Sequence, residues 1–546
     1  MAVRIQPKSG RRRKLGRLAV MNPARGLNNL VSDTMIDDKE ASALNNVAFT
    51  ESGCPTKAFG FEDTGSGLTN RPKGLGSLRT ATYNELLTID GTSLMKWTGT
   101  TWSAVAGKTF TADKEVVFVQ ARDEVFIHNG TDAFGKYTGA ALTTPTTAIT
   151  TGFGIFWEGY HWASGVASHR NRVYRSESTD ASDFTNANPT GTGEYSVYDG
   201  TTHPGSSTYA GTGAAYFDID KGDGDRITGF ASYQDKLIVF KERSVYQITL
   251  DSTGQPLVDR VSRSVGAVSH RAITTVENDI FFMTRRGIYV LGNEPNYFNV
   301  IRSNELSARM RGTIDSIVDA NADKACVGYY DNMFYCGIRS GGSTSINQTM
   351  TYDRRYLGWS LVNHIKPNAM HVFVNADNEM DLYFASDDEA KVYKINQGYS
   401  AAGTAYTSYW QSKAFDANSP EVSKRWIDLS LAFRAVNGSI TIDIYGDNNR
   451  LVKSVTVQNN SATGSVSGIG ADGFGSFMFG ESSGATDTTG VATSNVVYRI
   501  KLNTTSRTIK FRITNENENE SFTLQGFMFA YREYGHYKFD AQYKLY

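Results

Sequence analysis

DIFFMTRRGIYVL, residues 279–291, decides the fold. An acid opens it. Four apolar positions follow (Ile280–Met283), then a polar turn at Arg285-Arg286-Gly287, then an aromatic-bearing run, Ile288-Tyr289-Val290. Two short apolar runs split by a turn read as an antiparallel hairpin. The plan recurs. Residues 235–250, DKLIVFKERSVYQITL, repeat it, as do 85–97 around Asp90-Gly91, 123–137 around Asn129-Gly130, and 381–395. Residues 332–338 and 350–359 form a wider pair. The units start roughly 40–65 residues apart, a spacing that belongs to four-stranded propeller blades.

Counting outward from Leu75 to Asn396 gives six or seven blades. Residues 139–224 break the plan with Gly, Thr and Ser and are expected to loop out. Helix candidates lie in 30–49, where Asp37 or Asp38 is a cap and Ala41, Leu44 and Val47 form a stripe, and in 299–317, with Leu306, Met310 and Ile314 on one face. Beyond a small-residue linker near 398–405 the alternation continues without the blade plan. Six or more antiparallel strands there fit a β-sandwich. Its insert at 461–490 is Gly/Ser-rich and reads as a surface-draped loop. The expected architecture is all-β: a basic N-terminal arm (1–36), a β-propeller of six or seven blades (37–400) with inserted loops at about 139–216, and a C-terminal β-sandwich (401–546), with one or two short helices.

Composition bounds the function. The chain has 546 residues with 55 Lys+Arg against 56 Asp+Glu, a net charge of −1. That balance excludes a histone-like coat for nucleic acid. No apolar run is long enough to span a membrane as a helix. Three Cys build no disulfide framework. The N-terminus lacks the apolar core of a secretory signal, so a soluble protein made in a reducing cytoplasm is expected. The net charge is an average of unlike parts. The first 25 residues carry eight bases and no acid, which leaves the remainder near −9.

Chemical motifs are sparse. There is no His-Glu-x-x-His and no Cys-x-x-Cys. Mirroring the hairpin at Asp331-Asn332 puts Gly337 opposite Cys326, so Cys336 faces away and no disulfide is expected. Gly130–Lys136 has phosphate-loop spacing, but Tyr137 stands where a Ser/Thr hydroxyl must hold Mg²⁺, and a hairpin turn is the simpler reading. Asp218, Asp220, Asp223 and Asp225 crowd one Gly-rich loop. They form a candidate cation loop, set against a polar turn leading into a strand. Gly229 stands at the twelfth position, where an EF-hand needs Glu, and no metal is assigned. Trp97–Trp102 resembles the Asp-box of sialidase propellers without its Asp, and no carboxylate pair for glycoside hydrolysis stands out. No catalytic residue, enzymatic activity or cofactor is expected.

The arm residues Arg4, Lys8, Arg11, Arg12, Arg13, Lys14 and Arg17 have three readings. They form a solvated tail, a contact to DNA phosphates, or a dock on a partner or neighbouring subunit; the last is favoured.

Longer segments resemble a known family. Residues 26–60, GLNNLVSDTMIDDKEASALNNVAFTESGCPTKAFG, resemble the opening of short-tailed bacteriophage tail proteins. GDRITGFASYQDKLIVFKERSVYQITL (224–250) and VGAVSHRAITTVENDIFFMTRRGIYVL (265–291) resemble their propeller blades, and SYWQSKAFDANSPEVSKRWIDLSL (408–431) the entry to their sandwich. The family is the tail nozzle, also called tail hub, tail tubular or packaged-DNA stabilisation protein. The resemblance implies a ring of typically six copies in the virion tail, assembled in the bacterial cytoplasm. It implies partners in the adaptor or head–tail connector ring and in tail fibres or spikes. Double-stranded DNA would be held back and then pass through the lumen without sequence-specific binding. The alternative is a receptor- or carbohydrate-binding tail module whose aromatic stretch 153–162 stacks on sugars, although that stretch reads more simply as an inter-subunit or loop-packing patch.

Overall fold

The computed structural model describes residues 15–184, 214–252, 254, 256–293, 301–375, 377–395, 398–459 and 496–536. Seven four-stranded antiparallel sheets and one ten-stranded assembly account for its strands. Among the described residues no helix is long and apolar enough to cross a membrane.

The seven sheets are blades. Blade 1 covers 75–104, blade 2 117–143, blade 3 153–218, blade 4 227–262, blade 5 273–305, blade 6 326–362 and blade 7 367–395. The first strand of each is innermost. Leu75–Arg79, Val117–Ala121, Phe153–Trp157, Ile227–Tyr233, Ile273–Val276, Cys326–Tyr330 and Pro367–Val374 neighbour one another in that order, and the last returns to the first. The ring is shut by a strand from far upstream: Phe61–Asp63 is the outermost strand of blade 7, paired with Tyr393, Lys394 and Ile395. Sequence reading left the blade number at six or seven; the strand order makes it seven.

Each predicted hairpin forms. The Asp279 hairpin pairs Ile280 with Leu291 and Met283 with Ile288. Gly91, at the predicted Asp-Gly turn, has φ +60°, the left-handed value that such turns require. Cys326 stands opposite Gly337, as mirroring predicted, and all three cysteines are free and buried. Burial pushes the Cys336 thiol upward, and the Cys326 thiol to about 12, which makes both inert at neutral pH.

Seven inner strands crowd one axis, and glycine relieves the crowding. A Cβ on Gly76 would lie 2.3 Å from Phe118 Cβ, one on Gly154 2.8 Å from the Trp162 carbonyl oxygen, and one on Gly328 2.7 Å from Met370 Sδ. All three sit mid-strand, where glycine otherwise weakens a sheet.

Among the described residues, a second compact unit is formed by those within 1–58, 356–360 and 404–546, while those within 59–355 and 361–403 form the propeller unit. Gly16–Met21, Ala41–Asn45, Val47–Phe49 and Pro55–Lys57 join a sheet system built from the C-terminal strands, so the propeller is an insertion. The 24-residue strand Val422–Tyr445 runs through both layers: its first half pairs with Val496–Ser506 and Ser521–His536, its second with Leu451–Asn459 and Lys510–Asn515. Trp410 and Phe511 of one layer pack on Phe527 of the other at ring-centroid distances of 6.1 and 4.8 Å, which makes the unit a sandwich. Buried Lys57 ties the N-terminal strands in. Its Nζ donates to Asn515 Oδ1 (2.8 Å) and the Asn517 carbonyl (2.7 Å), and burial lowers its pKa to about 8.

Three expectations are corrected. The helix in 30–49 does not form. Ala41–Asn45 pairs with Ser408–Ser412, and Glu40 closes a turn by accepting from the Asp37 N–H. Among the described residues of 299–317 the helix is shorter than expected, two single turns at Ala308–Met310 and Arg311–Ile314, because Ile301–Glu305 is the outer strand of blade 5. The described residues of 139–224 do not simply loop out: 153–157, 160–164, 172–175 and 215–218 form blade 3, a four-stranded sheet that the repeat pattern does not reveal. The insert at 461–490 lies outside the described residues.

Candidate functional site

The propeller axis carries the most organised polar constellation. Arg271 immediately precedes the inner strand of blade 5. Its guanidinium Nη1 lies 2.7 Å from Glu115 Oε2, just before blade 2, and donates to the Asn368 carbonyl (2.8 Å) and Oδ1 (2.7 Å) in blade 7. Asn368 Nδ2 in turn donates to the Pro72 carbonyl, before blade 1, at 2.7 Å. Blades 2, 5 and 7 are not neighbours. One guanidinium that touches all three stands across the axis. The planar fork of Arg suits this work, since it serves several acceptors at fixed angles.

Arg271 borders two axial cavities, of about 540 and 280 Å³. The larger is walled by the beginnings of five inner strands, at Glu115, Gly152, Arg226, Ser269 and Asp323, and by the turn at Arg170. Ser269 Oγ and Asp323 Oδ1 face it with no hydrogen-bond partner among the described residues, so the cavity suits water or a small polar guest. No set of three or more His, Cys, Asp or Glu side chains with metal-binding spacing occurs among the described residues. Sequence reading missed Arg271, Glu115 and Asn368. Their common trait is a place at the start of an inner strand, which only the closed ring makes meaningful.

The four aspartates of the candidate cation loop do not converge. Asp218 takes a two-pronged hydrogen bond from Arg172 (2.8 and 3.0 Å). Asp220 pairs with Arg260 and accepts from the Tyr246 hydroxyl at 2.7 Å. Asp223 holds the fully buried Lys241 Nζ at 2.7 Å. Asp225 accepts backbone N–H groups of Arg226, Glu242 and Arg243. Protein cations and amides supply the positive charge that a metal would otherwise bring, and the loop is a structural joint between blades 3 and 4.

The aromatic stretch 153–162 is core. Phe153, Trp157, Tyr160 and Trp162 are buried in a cluster shared by blades 3 and 4, and half-buried Phe156 packs against a second cluster shared by blades 2 and 3. Gly130–Lys136 is a hairpin connection in blade 2, with Lys136 paired to Glu124 at 2.6 Å. Trp97 and Trp102 face each other across a turn in blade 1.

A buried histidine pair joins blades 2 and 3. His161 Nδ1 donates to the Ala181 carbonyl (3.0 Å), so its neutral Nε2 is an acceptor. His128 Nε2–H therefore donates to it at 3.1 Å, and His128 Nδ1 accepts from the Thr151 hydroxyl at 2.7 Å. Burial lowers the pKa of His161 to about 4; burial, then His161 and His270, hold His128 well below the usual imidazole range.

Of the arm residues, Arg17 lies on Gly16–Met21, opposite Ala530 in the sandwich, with its side chain exposed. Arg4, Lys8, Arg11, Arg12, Arg13 and Lys14 lie outside the described residues.

No protein-family model matches the chain, and no curated protein does. Among solved structures it is similar to YCF48 bound to a D1 peptide, at 9% identity and TM-score 0.37 over 66% of this chain and 100% of that one. It is similar to YCF48 from Cyanidioschyzon merolae at 9% identity and TM-score 0.36, over 62% and 98%. It is also similar to the extracellular domain of the one component system BT4673 from B. thetaiotaomicron at 9% identity and TM-score 0.38, over 76% and 57%. Likenesses at this level carry no argument about what the chain does. The seven blades rest on its own strand order.

Proposed function

We propose that this chain is a structural subunit of a ring-shaped tail nozzle, or tail hub, of a short-tailed bacteriophage. In this reading it works in the virion tail, without catalysis, and retains packaged DNA until ejection. Six copies form the ring, which joins an adaptor ring on one side and carries fibres or spikes.

The observation that carries the reading is the filled axis. Arg271, Glu115 and Asn368 cross-tie three non-adjacent blades where a pore would run. The tie bars the propeller axis to a duplex, so in this reading the DNA conduit lies between copies. Heterologous contacts between identical copies close into a ring when the rotation per contact allows it. Two features suit a block that works under pressure. Blade 7 is shut by an upstream strand, and the segment before that strand, 16–57, is woven into the C-terminal sandwich. One of the segments that resemble the family, 26–60, supplies three of the strands in the sandwich and leads directly into the closing strand Phe61–Asp63.

Immunogold labelling tests the location. Antibodies to the purified chain are expected to decorate the tails of short-tailed particles from the phage that encodes it. Decoration of cell envelopes instead, or a hit in a glycan-binding screen, favours the receptor-binding alternative.

A further inference from the structure

The propeller has two ends, and they differ in charge. All inner strands start at one face, here the entry face, as their shared cavity shows. The turn after each inner strand, and the turn between the third and fourth strands, lie at the opposite, exit face. Contacts within each group agree: Arg285 reaches the Asp319 carbonyl at the entry face (2.9 Å), and Arg354 reaches Glu277 at the exit face (2.5 Å).

Among the described residues, the entry-face connections hold eighteen Lys and Arg against thirteen Asp and Glu, a net of +5. The exit-face turns hold three against eleven, a net of −8. The three exit-face bases are also committed. Arg354 pairs with Glu277, Arg355 with Asp353 (2.8 Å), and Arg122 donates to the carbonyls of Ser178 and Thr179.

The acids are spaced around the axis. Blades 2 to 7 each place an exposed carboxylate in the turn after the inner strand: Asp123, Glu158, Asp235, Glu277, Asp331 and Asp377. Asp and Asn are favoured in such two-residue turns for backbone reasons alone. Glu is not. Yet Glu158 and Glu277 occupy left-handed positions, at φ 50° and 53°. Arg122 and Gln234 hold the same position in blades 2 and 4, at φ 56° and 52°, so the backbone does not dictate an acid there.

The same chain holds the complement. Its first 14 residues carry six bases, Arg4, Lys8, Arg11, Arg12, Arg13 and Lys14, and no acid. Fully extended, that stretch reaches about 46–50 Å.

We propose that the acidic exit face of the propeller is the docking surface for the basic N-terminal arm of a neighbouring copy. The inference rests on the ring reading and deepens it by naming the two surfaces that meet. Opposite fields of this size steer encounter and fix which face is met, and they weaken as salt screens them.

Zero-length carbodiimide coupling of the full chain tests it. Lys8 and Lys14 are the arm's reactive side-chain amines, and an equal mixture of ¹⁴N- and ¹⁵N-labelled protein separates contacts between copies from those within one. Mixed-isotope crosslinks to Glu158, Asp235, Asp331 or Asp377 are expected at low salt, and fewer at high salt. In the variant Glu158→Gln/Asp235→Asn/Asp331→Asn the crosslinks to Asp377, which is left in place, should fall several-fold as the face loses charge, with the melting temperature unchanged. Crosslinks only to entry-face or sandwich carboxylates, none from the arm, or only same-isotope pairs would overturn the inference. A six-copy mass with any of those results leaves the ring reading standing; a monomer mass removes that reading itself.

Discussion

Arg271 of blade 5 holds Glu115 of blade 2 at 2.7 Å across the propeller axis. The pair is screened from solvent on the Arg271 side, whose side chain is 11% exposed. Removing one partner strands the other and loosens three blades together. Arg271→Met is therefore expected to lower unfolding stability by about 2 kcal/mol, and Glu115→Gln by about 1 kcal/mol. Urea midpoints give both values. The double variant should cost less than the sum, because the two changes remove one interaction. Full additivity would show that the pair does not couple the blades.

The inner-strand glycines are expected to rank by what their missing Cβ would meet. Gly154→Ala drives a methyl against the Trp162 carbonyl and the His161 ring, neither of which can yield, and should cost about 2–3 kcal/mol. Gly328→Ala meets the flexible Met370 side chain and should cost about 1 kcal/mol. Thermal melts of the two variants check the order, and a reversed order contradicts the packing account.

Acid should loosen the junction of blades 2 and 3. His161 titrates near 4 when folded and near 6.5 when unfolded, so between those values the unfolded chain binds more protons. Stability then falls as pH drops from about 6.5 to 4, by roughly 3 kcal/mol from this group, and is unaffected above about 7. Carboxylates also titrate at the lower end, so the readout is the difference between wild type and His161→Gln. The variant should show a shallower loss over that window. Equal slopes would mean that His161 is not held neutral by its surroundings.

The aspartate loop should behave as an ion-pair joint. Asp223→Asn leaves the fully buried Lys241 without its carboxylate and is expected to cost about 2 kcal/mol. Calcium or EDTA should leave the melting temperature of the wild type unmoved, since a ligand that binds only the folded state would raise it. A calcium-dependent rise would restore the cation reading.

These positions show what the linear sequence exposes and what it hides. The hairpins were legible because their partners lie a few residues apart and their turns carry Asp-Gly or Asn-Gly. Even the Cys326–Gly337 register followed from symmetry about one turn. Partners far apart in the chain were not legible. Phe61 pairs with Ile395, and Ala41 with Ser412, so the first stretch carries no strand signal of its own and the second reads as a helix. Blade 3 was hidden because residues 176–214 separate its third and fourth strands. Arg271, Glu115 and Asn368 look ordinary in the sequence and meet only when seven blades close a circle. The acids of the exit face were visible one by one, but their common face depends on the direction of every inner strand.

The central claim is that propellers with a barred axis assemble into a ring, and native mass spectrometry of the purified full chain tests it most directly. Six copies of the 60.0 kDa chain predict a species of about 360 kDa that disperses as salt is raised. A single species at 60.0 kDa, unchanged at low salt and high concentration, would contradict the account.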